Sequence, residues 1–298
     1  SMLVHPASVY AGLRAEKTFV PAGQVFNLDV IAADIDGKRA VGRDIAVRSV
    51  RLDSVQEHGV YTEREVDEDT CAVKSVAEHV HCALKTKSGG RYRVTAIITD
   101  AQGRKSQTTM HFWAVAKDDS TPDRSLQPGS LDLVADKLEY RSNDTAEILV
   151  RSLFAPAEGL ITVQRSGVVS VQRFTMTQLS QTITIPLRRE WVPNAVVSVR
   201  LVGLTARADE YGATDAKLPP KPAFASGSLE LSIPPKERTL TVAVQPKDAA
   251  VDPGGSTTVA VDLKDATGRP AAQADVAVYV VDESVLAPQP SSEESSLA

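Results

Sequence analysis

The chain has 298 residues, 42% of them hydrophobic and 24% charged, close to the usage of ordinary globular proteins, which excludes wholesale disorder and a collagen-like repeat. Net charge is -5 with both signs interspersed along the length, so no basic face or tail is set aside for a nucleic acid. Apolar runs such as Val276-Ala277-Val278-Tyr279-Val280-Val281 are bounded by charges and fall well short of the roughly 18 residues that cross a bilayer, so no membrane-spanning segment is expected.

In chain order, Ser1-Met2-Leu3-Val4-His5-Pro6 has neither a basic region nor a long apolar stretch, and it reads as an expression remnant joined to mid-protein sequence. From there the pattern is period-2 alternation rich in Val, Ile, Thr and Ala, broken every ten residues or so by Gly, Pro, Asn or Asp, which predicts short antiparallel strands. Phe26-Asn27-Leu28-Asp29-Val30-Ile31 leads into Asp36-Gly37, and Tyr92-Arg93-Val94-Thr95-Ala96-Ile97 into Asp100-Ala101-Gln102-Gly103. Thr182-Ile183-Thr184-Ile185 stops at Pro186, and Val196 to Val202 runs into Gly203. Few segments keep apolar residues at helical spacing for long, so the fold class is all-β. Many short strands favour tandem antiparallel β-sandwich domains of immunoglobulin-like type over one large barrel. Aromatic residues make up only 5%, so Val, Leu, Ile and Ala must fill the cores.

One template recurs. Residues 19–47 and 250–278 each begin with a Pro-containing glycine turn, at Pro21-Ala22-Gly23 and Asp252-Pro253-Gly254-Gly255. An alternating strand follows, then a glycine hairpin at Asp34-Ile35-Asp36-Gly37-Lys38 or Asp265-Ala266-Thr267-Gly268-Arg269, then a return strand. A weaker copy opens near Lys137, with Arg141-Ser142-Asn143 where the glycine turn should stand. The expected modules are therefore residues 1–117, 118–237 and 238–287, with a flexible polar tail at 288–298. The third has too few residues to close a core, so the last sandwich is incomplete.

Cys71 and Cys82 are separated by ten residues, a spacing that suits a strand, a turn and an antiparallel return strand; from spacing alone both a disulfide and a pair of free thiols remain open. His79-Val80-His81 places two imidazoles on one strand face, a spacing that binds zinc when other ligands converge, but no second ligand cluster is visible, so a solvated strand face is expected and no metal is assigned. Glu63-Arg64-Glu65-Val66-Asp67-Glu68-Asp69 lacks the glycine-punctuated spacing of a calcium loop and reads as a solvated hairpin arm. Ser284 has no nucleophile elbow around it, and Asp252-Pro253-Gly254-Gly255 lacks the helix and Lys of a phosphate loop, so no catalytic residue and no cofactor-binding residue is expected. Trp113 and Trp191 stand alone and read as packing residues of a core or a domain contact.

Val280-Val281-Asp282-Glu283-Ser284-Val285-Leu286 closely resembles the segment that precedes the protease bait in alpha-2-macroglobulins and their bacterial relatives. Val4-His5-Pro6-Ala7 with Tyr10-Ala11-Gly12-Leu13, Ala146 to Phe154, Pro193 to Val199 and Ala223-Phe224-Ala225-Ser226-Gly227 occur in the same order as in the bacterial family. The resemblance implies macroglobulin-like sandwiches, two complete and a third begun, with Asp282, Glu283, Ser284, Val285, Leu286, Ala287 and Pro288 approaching a bait region. It implies a structural disulfide between Cys71 and Cys82 within the first module. Neither cysteine lies in the family's Cys-Gly-Glu-Gln thioester sequence, so this segment cannot itself attach to a protease.

The implied function is non-enzymatic: part of a broad-spectrum endopeptidase inhibitor of the periplasm or cell exterior. Its partners would be host or competitor endoproteases met by the full-length protein, and a lipid anchor on the parent would be compatible. Two rivals share the composition and repeat: an adhesive or spacer module built from immunoglobulin-like sandwiches, and the accessory domains of a secreted glycosidase or peptidase.

Overall fold

A computed structural model describes residues 5–57, 60–116, 126–207, 218–252 and 254–279, with side chains at 54–57, 60 and 61 left aside. The described part is β-structure joined by turns, with short 3₁₀ turns at Arg189–Trp191 and Lys236–Arg238; no helix is long and apolar enough to cross a membrane. The chain divides into two compact units, Ser1–Pro234 and Pro235–Ala298.

The first unit holds two sandwiches. In the first, the strands are β1 (Val9–Ala15), β2 (Phe19–Pro21), β3 (Val25–Asp34), β4 (Asp44–Glu57), β5 (Val60–Lys74), β6 (Val80–Lys85), β7 (Gly90–Thr99) and β8 (Lys105–Val115). They form a three-stranded sheet in the order β1-β3-β6 and a five-stranded sheet in the order β2-β8-β7-β4-β5. The second sandwich uses β9 (Asp132–Ala135), β10 (Thr145–Arg151), β11 (Ala157–Gln164), β12 (Val168–Met176), β13 (Ser180–Pro186), β14 (Asn194–Thr205) and β15 (Lys221–Ser232). Its sheets run β13-β10-β9 and β12-β11-β14-β15, the same connectivity without the short parallel β2.

Alternation places the cores. Phe26, Leu28, Val30 and Ala32 on β3 face Tyr92, Val94, Ala96 and Ile98 on β7, all essentially inaccessible, and the Phe26 and Phe112 rings stack at 3.9 Å. In the second sandwich Ala146, Ile148 and Val150 of β10 meet Ala195, Val197, Val199 and Leu201 of β14, with Trp191 buried in the same cluster. Each fully buried Val, Leu or Ile contributes about 1.5–3 kcal/mol relative to exposure.

The hairpin turns share one design. Asp34, Asp100 and Asp265 each accept on Oδ1 from the backbone N–H two and four residues on, at 2.8–3.1 Å. The glycine three residues on, Gly37, Gly103 or Gly268, sits at φ 79°, 78° and 83°, a left-handed conformation costly for any residue with a Cβ. At the module openings Gly23 and Gly254 adopt φ 85°, and in the middle module Asn143 takes φ 68° at the equivalent turn. Asn tolerates that region because its short amide can hydrogen-bond locally.

Among the described residues, the second unit pairs β16 (Thr241–Pro246) with β17 (Val259–Lys264) in one antiparallel hairpin, and none of them is buried. Val242, Val244 and Tyr279 stand 55%, 60% and 86% exposed, which is the consequence of alternation with no facing sheet among the described residues.

Gly103→Ala is expected to destabilise the first unit by about 1 kcal/mol, read as a lower urea midpoint at unchanged slope. Asp100 supplies a second test. Burial pushes its carboxyl up, but hydrogen bonds from Ser8, Arg104 and Gln102 outweigh that and hold it below the usual carboxylate range. A folded-state pKa under the unfolded one means the native state binds fewer protons in acid. That stabilisation is present above about pH 4 and is lost as pH falls further through the folded value. Asp100→Asn should therefore lower stability at neutral pH and flatten its decline below about pH 4 in acid titrations of the melting temperature.

Candidate functional site: the module junction and its braces

The two sandwiches of the first unit meet where β1 hands over to β2. Thr18 donates its N–H to the Asp136 carbonyl at 2.9 Å and its hydroxyl to the Ala135 carbonyl, so the switch from one sheet to the other is anchored on the end of β9. Lys17 pairs with Glu147 at 2.8 Å, a contact that raises the ammonium above its ordinary pKa, the hydrogen bond it donates to Glu147 being the largest cause. On β8 the Trp113 ring receives the Arg151 guanidinium 3.5 Å from its centroid, and Arg151 also reaches Asp132 at 2.9 Å.

These contacts explain an oddity of β10. Ile148 and Val150 face the core, so Glu147, Leu149 and Arg151 should be outward and wet, yet Leu149 is 1% and Arg151 7% exposed. Glu147 and Arg151 both touch the first sandwich, and Leu149 lies between them on that covered face. A guanidinium stacked on an indole and paired to a carboxylate keeps its charge satisfied while losing water, which is why Arg rather than Lys suits the position. Asp136 completes the anchor by accepting the Tyr140 hydroxyl at 2.7 Å and the Glu147 N–H at 2.9 Å.

Cys71 and Cys82 are bonded, with Cα atoms 6.1 Å apart. They do not lie on paired strands of one hairpin, as their spacing suggests. Cys71 sits on β5 opposite Val47 in the five-stranded sheet, and Cys82 on β6 opposite Leu28 in the three-stranded sheet. The intervening residues cross between layers, so the bond ties sheet to sheet.

The acidic run on β5 is paired with arginines from β4 and β7. Arg48 contacts Glu65 and Glu68, Arg51 contacts Asp67 at 2.7 Å, Arg91 contacts Glu63, and Arg93 contacts Glu65. The carboxyls of Glu65, Glu68 and Asp67 are held low, their hydrogen bonds from Arg48 and Arg51 being the largest cause. Register also brings Asp29, which sequence spacing does not single out, directly opposite His81. Asp282, Glu283, Ser284, Val285, Leu286, Ala287 and Pro288 lie outside the described residues.

Tandem sandwiches of repeated connectivity, one braced across its layers by a disulfide and joined to the next by a buried cation on an indole, define a modular β-sandwich scaffold. The alpha-2-macroglobulin bait region domain model matches residues 131–287, more than half of the chain. The chain belongs to the alpha-2-macroglobulin family. An alpha-2-macroglobulin homolog from Nostoc sp. is 26% identical over 262 residues, covering 84% of this chain and 13% of that protein. Circularly permutated Ras protein 2 from Dictyostelium discoideum is 26% identical over 170 residues, 56% of this chain and 4% of that protein. Among solved structures, the native conformation of Escherichia coli alpha-2-macroglobulin is 20% identical with a TM-score of 0.32, covering 89% of this chain and 18% of that one. The chain thus spans between a tenth and a fifth of the length of these macroglobulin relatives.

A double-mutant cycle tests the junction. Trp113→Ala and Arg151→Met should each destabilise the first unit, with a coupling energy of about 1–2 kcal/mol between them in urea unfolding. A coupling near zero would show that the stacked pair contributes nothing to holding the sandwiches together.

Proposed function

We propose that this chain is a non-catalytic segment of a broad-spectrum protease trap, acting in the periplasm or outside the cell as the frame around a cleavable bait. The observation that carries this reading is the bait region domain match over residues 131–287, which takes in the second sandwich and the β16–β17 hairpin. Residues 1–117 and 118–237 would be complete macroglobulin-like modules, 238–287 the start of a third, and 288–298 the approach to the bait. Asp282 to Pro288 would form the bait-approach segment, and endoproteases would be the partners of the full-length protein.

The physical logic is a division between stiff and cuttable chain. A protease needs roughly extended, solvated backbone, whereas paired strands resist it. The first unit supplies two closed cores, a disulfide across one of them and a buried junction. The second supplies a hairpin with no buried residue among those described, and its sequence continues into the polar stretch Pro288-Gln289-Pro290-Ser291-Ser292-Glu293-Glu294. A cut in the soft part relieves a restraint that the stiff part can transmit to the rest of the parent. Attack chemistry belongs to the protease and covalent capture, where present, to another domain.

An immunoglobulin-like adhesive or spacer module without inhibitory activity is the second reading, since sandwiches host many unrelated functions. Limited digestion separates the two. Elastase, thermolysin and a Glu-specific protease, used separately, should each cut first beyond residue 280, where Val285, Leu286 and Glu283 offer sites, and leave a common core of the first unit, identified by intact mass. A first cut inside residues 5–116 or 126–207 would overturn the bait-frame assignment.

A further inference from the structure

The outer face of the β1-β3-β6 sheet carries a cluster that neither the junction nor the bait accounts for. Pairing sets Arg14 opposite Asp29 and Asp29 opposite His81, one polar row across three strands. His79 lies immediately before β6, two residues from His81, and its ring reaches the same Asp29 carboxylate. The two imidazoles meet edge to face with centroids 4.9 Å apart. Asp29 Oδ1 is 3.0 Å from His81 Nδ1 and 3.8 Å from His79 Nε2, and one ligand atom from each of the three residues lies within 4.8 Å of the others.

We propose that Asp29, His79 and His81 form a binding site for a divalent transition-metal cation of the zinc type. Two imidazoles and a carboxylate are the donor set that such ions take, whereas magnesium and calcium prefer all-oxygen shells. Bonds of about 2.1 Å in tetrahedral geometry place ligand atoms roughly 3.4 Å apart, and the two distances to Asp29 Oδ1 bracket that value. Closing the remaining gap between the imidazoles needs only side-chain rotation, because their side chains are 41% and 71% exposed and free to swing. Water would fill the fourth position.

Arg14 has two opposed effects. Its guanidinium holds Asp29 Oδ2 through Nη2 at 2.7 Å and Nε at 3.2 Å, which fixes the carboxylate and leaves Oδ1 turned to the imidazoles. Its charge also repels an arriving cation. The ion would tie β3 to β6 on the outside of the sheet, while the disulfide ties β6 to β5 from the inside, so β6 would be braced on both faces.

The test uses the whole chain, freed of metal with EDTA and titrated with zinc chloride in a calorimeter. One ion should bind per chain, and His79→Ala and His81→Ala should each weaken that binding at least about tenfold. Both variants remove exposed side chains, so their melting temperatures in EDTA should match the parent. No zinc binding by the parent, or binding unchanged in a folded His81→Ala chain, would overturn the proposal.

Discussion

A sheet with one apolar face is stable only when a second sheet covers it, and this requirement organises the whole molecule. Where the chain supplies both layers, inward rows close on each other: Phe26, Leu28 and Val30 against Tyr92 and Val94 in one sandwich, Ile148 and Val150 against Val197 and Val199 in the other. In the second unit, where the described residues hold the β16–β17 hairpin and no facing sheet, Val242 and Val244 remain exposed.

The same demand shapes the connections. Because β1 and β2 belong to different sheets, residues 16–18 must cross from one layer to the other, and that crossing becomes the anchor on which the second sandwich docks. The disulfide is a second crossing, from β5 to β6, made covalent. A domain braced between its layers at two separated places transmits a displacement instead of absorbing it.

Period-2 alternation made the strands and the all-β class legible, because side-chain direction in a strand depends only on counting residues. The hairpins at Asp34, Asp100 and Asp265 were legible for a similar reason, since an Asp cap and a positive-φ glycine are local devices that use only the residues of the turn. Even the departure at Arg141-Ser142-Asn143 keeps the turn, Asn143 taking the conformation that glycine has elsewhere. The cysteine pair was legible as a pair but not as a bridge between layers, because ten intervening residues fit a hairpin as readily as a crossing. Alternation along β10 turns Leu149 and Arg151 to the outward face, and their burial comes from the first sandwich, which no local pattern reveals.

By itself, then, the amino-acid order determined strand, turn, module repeat and family resemblance, all of which depend on neighbours within a few residues or on ordered motifs. Tertiary structure alone decided which strands share a sheet, that Thr18 and Trp113 meet β9 and β10, and that Asp29 faces His81. Those outcomes depend on register between segments distant in the chain, and a shift of one residue would turn every such side chain to the opposite face.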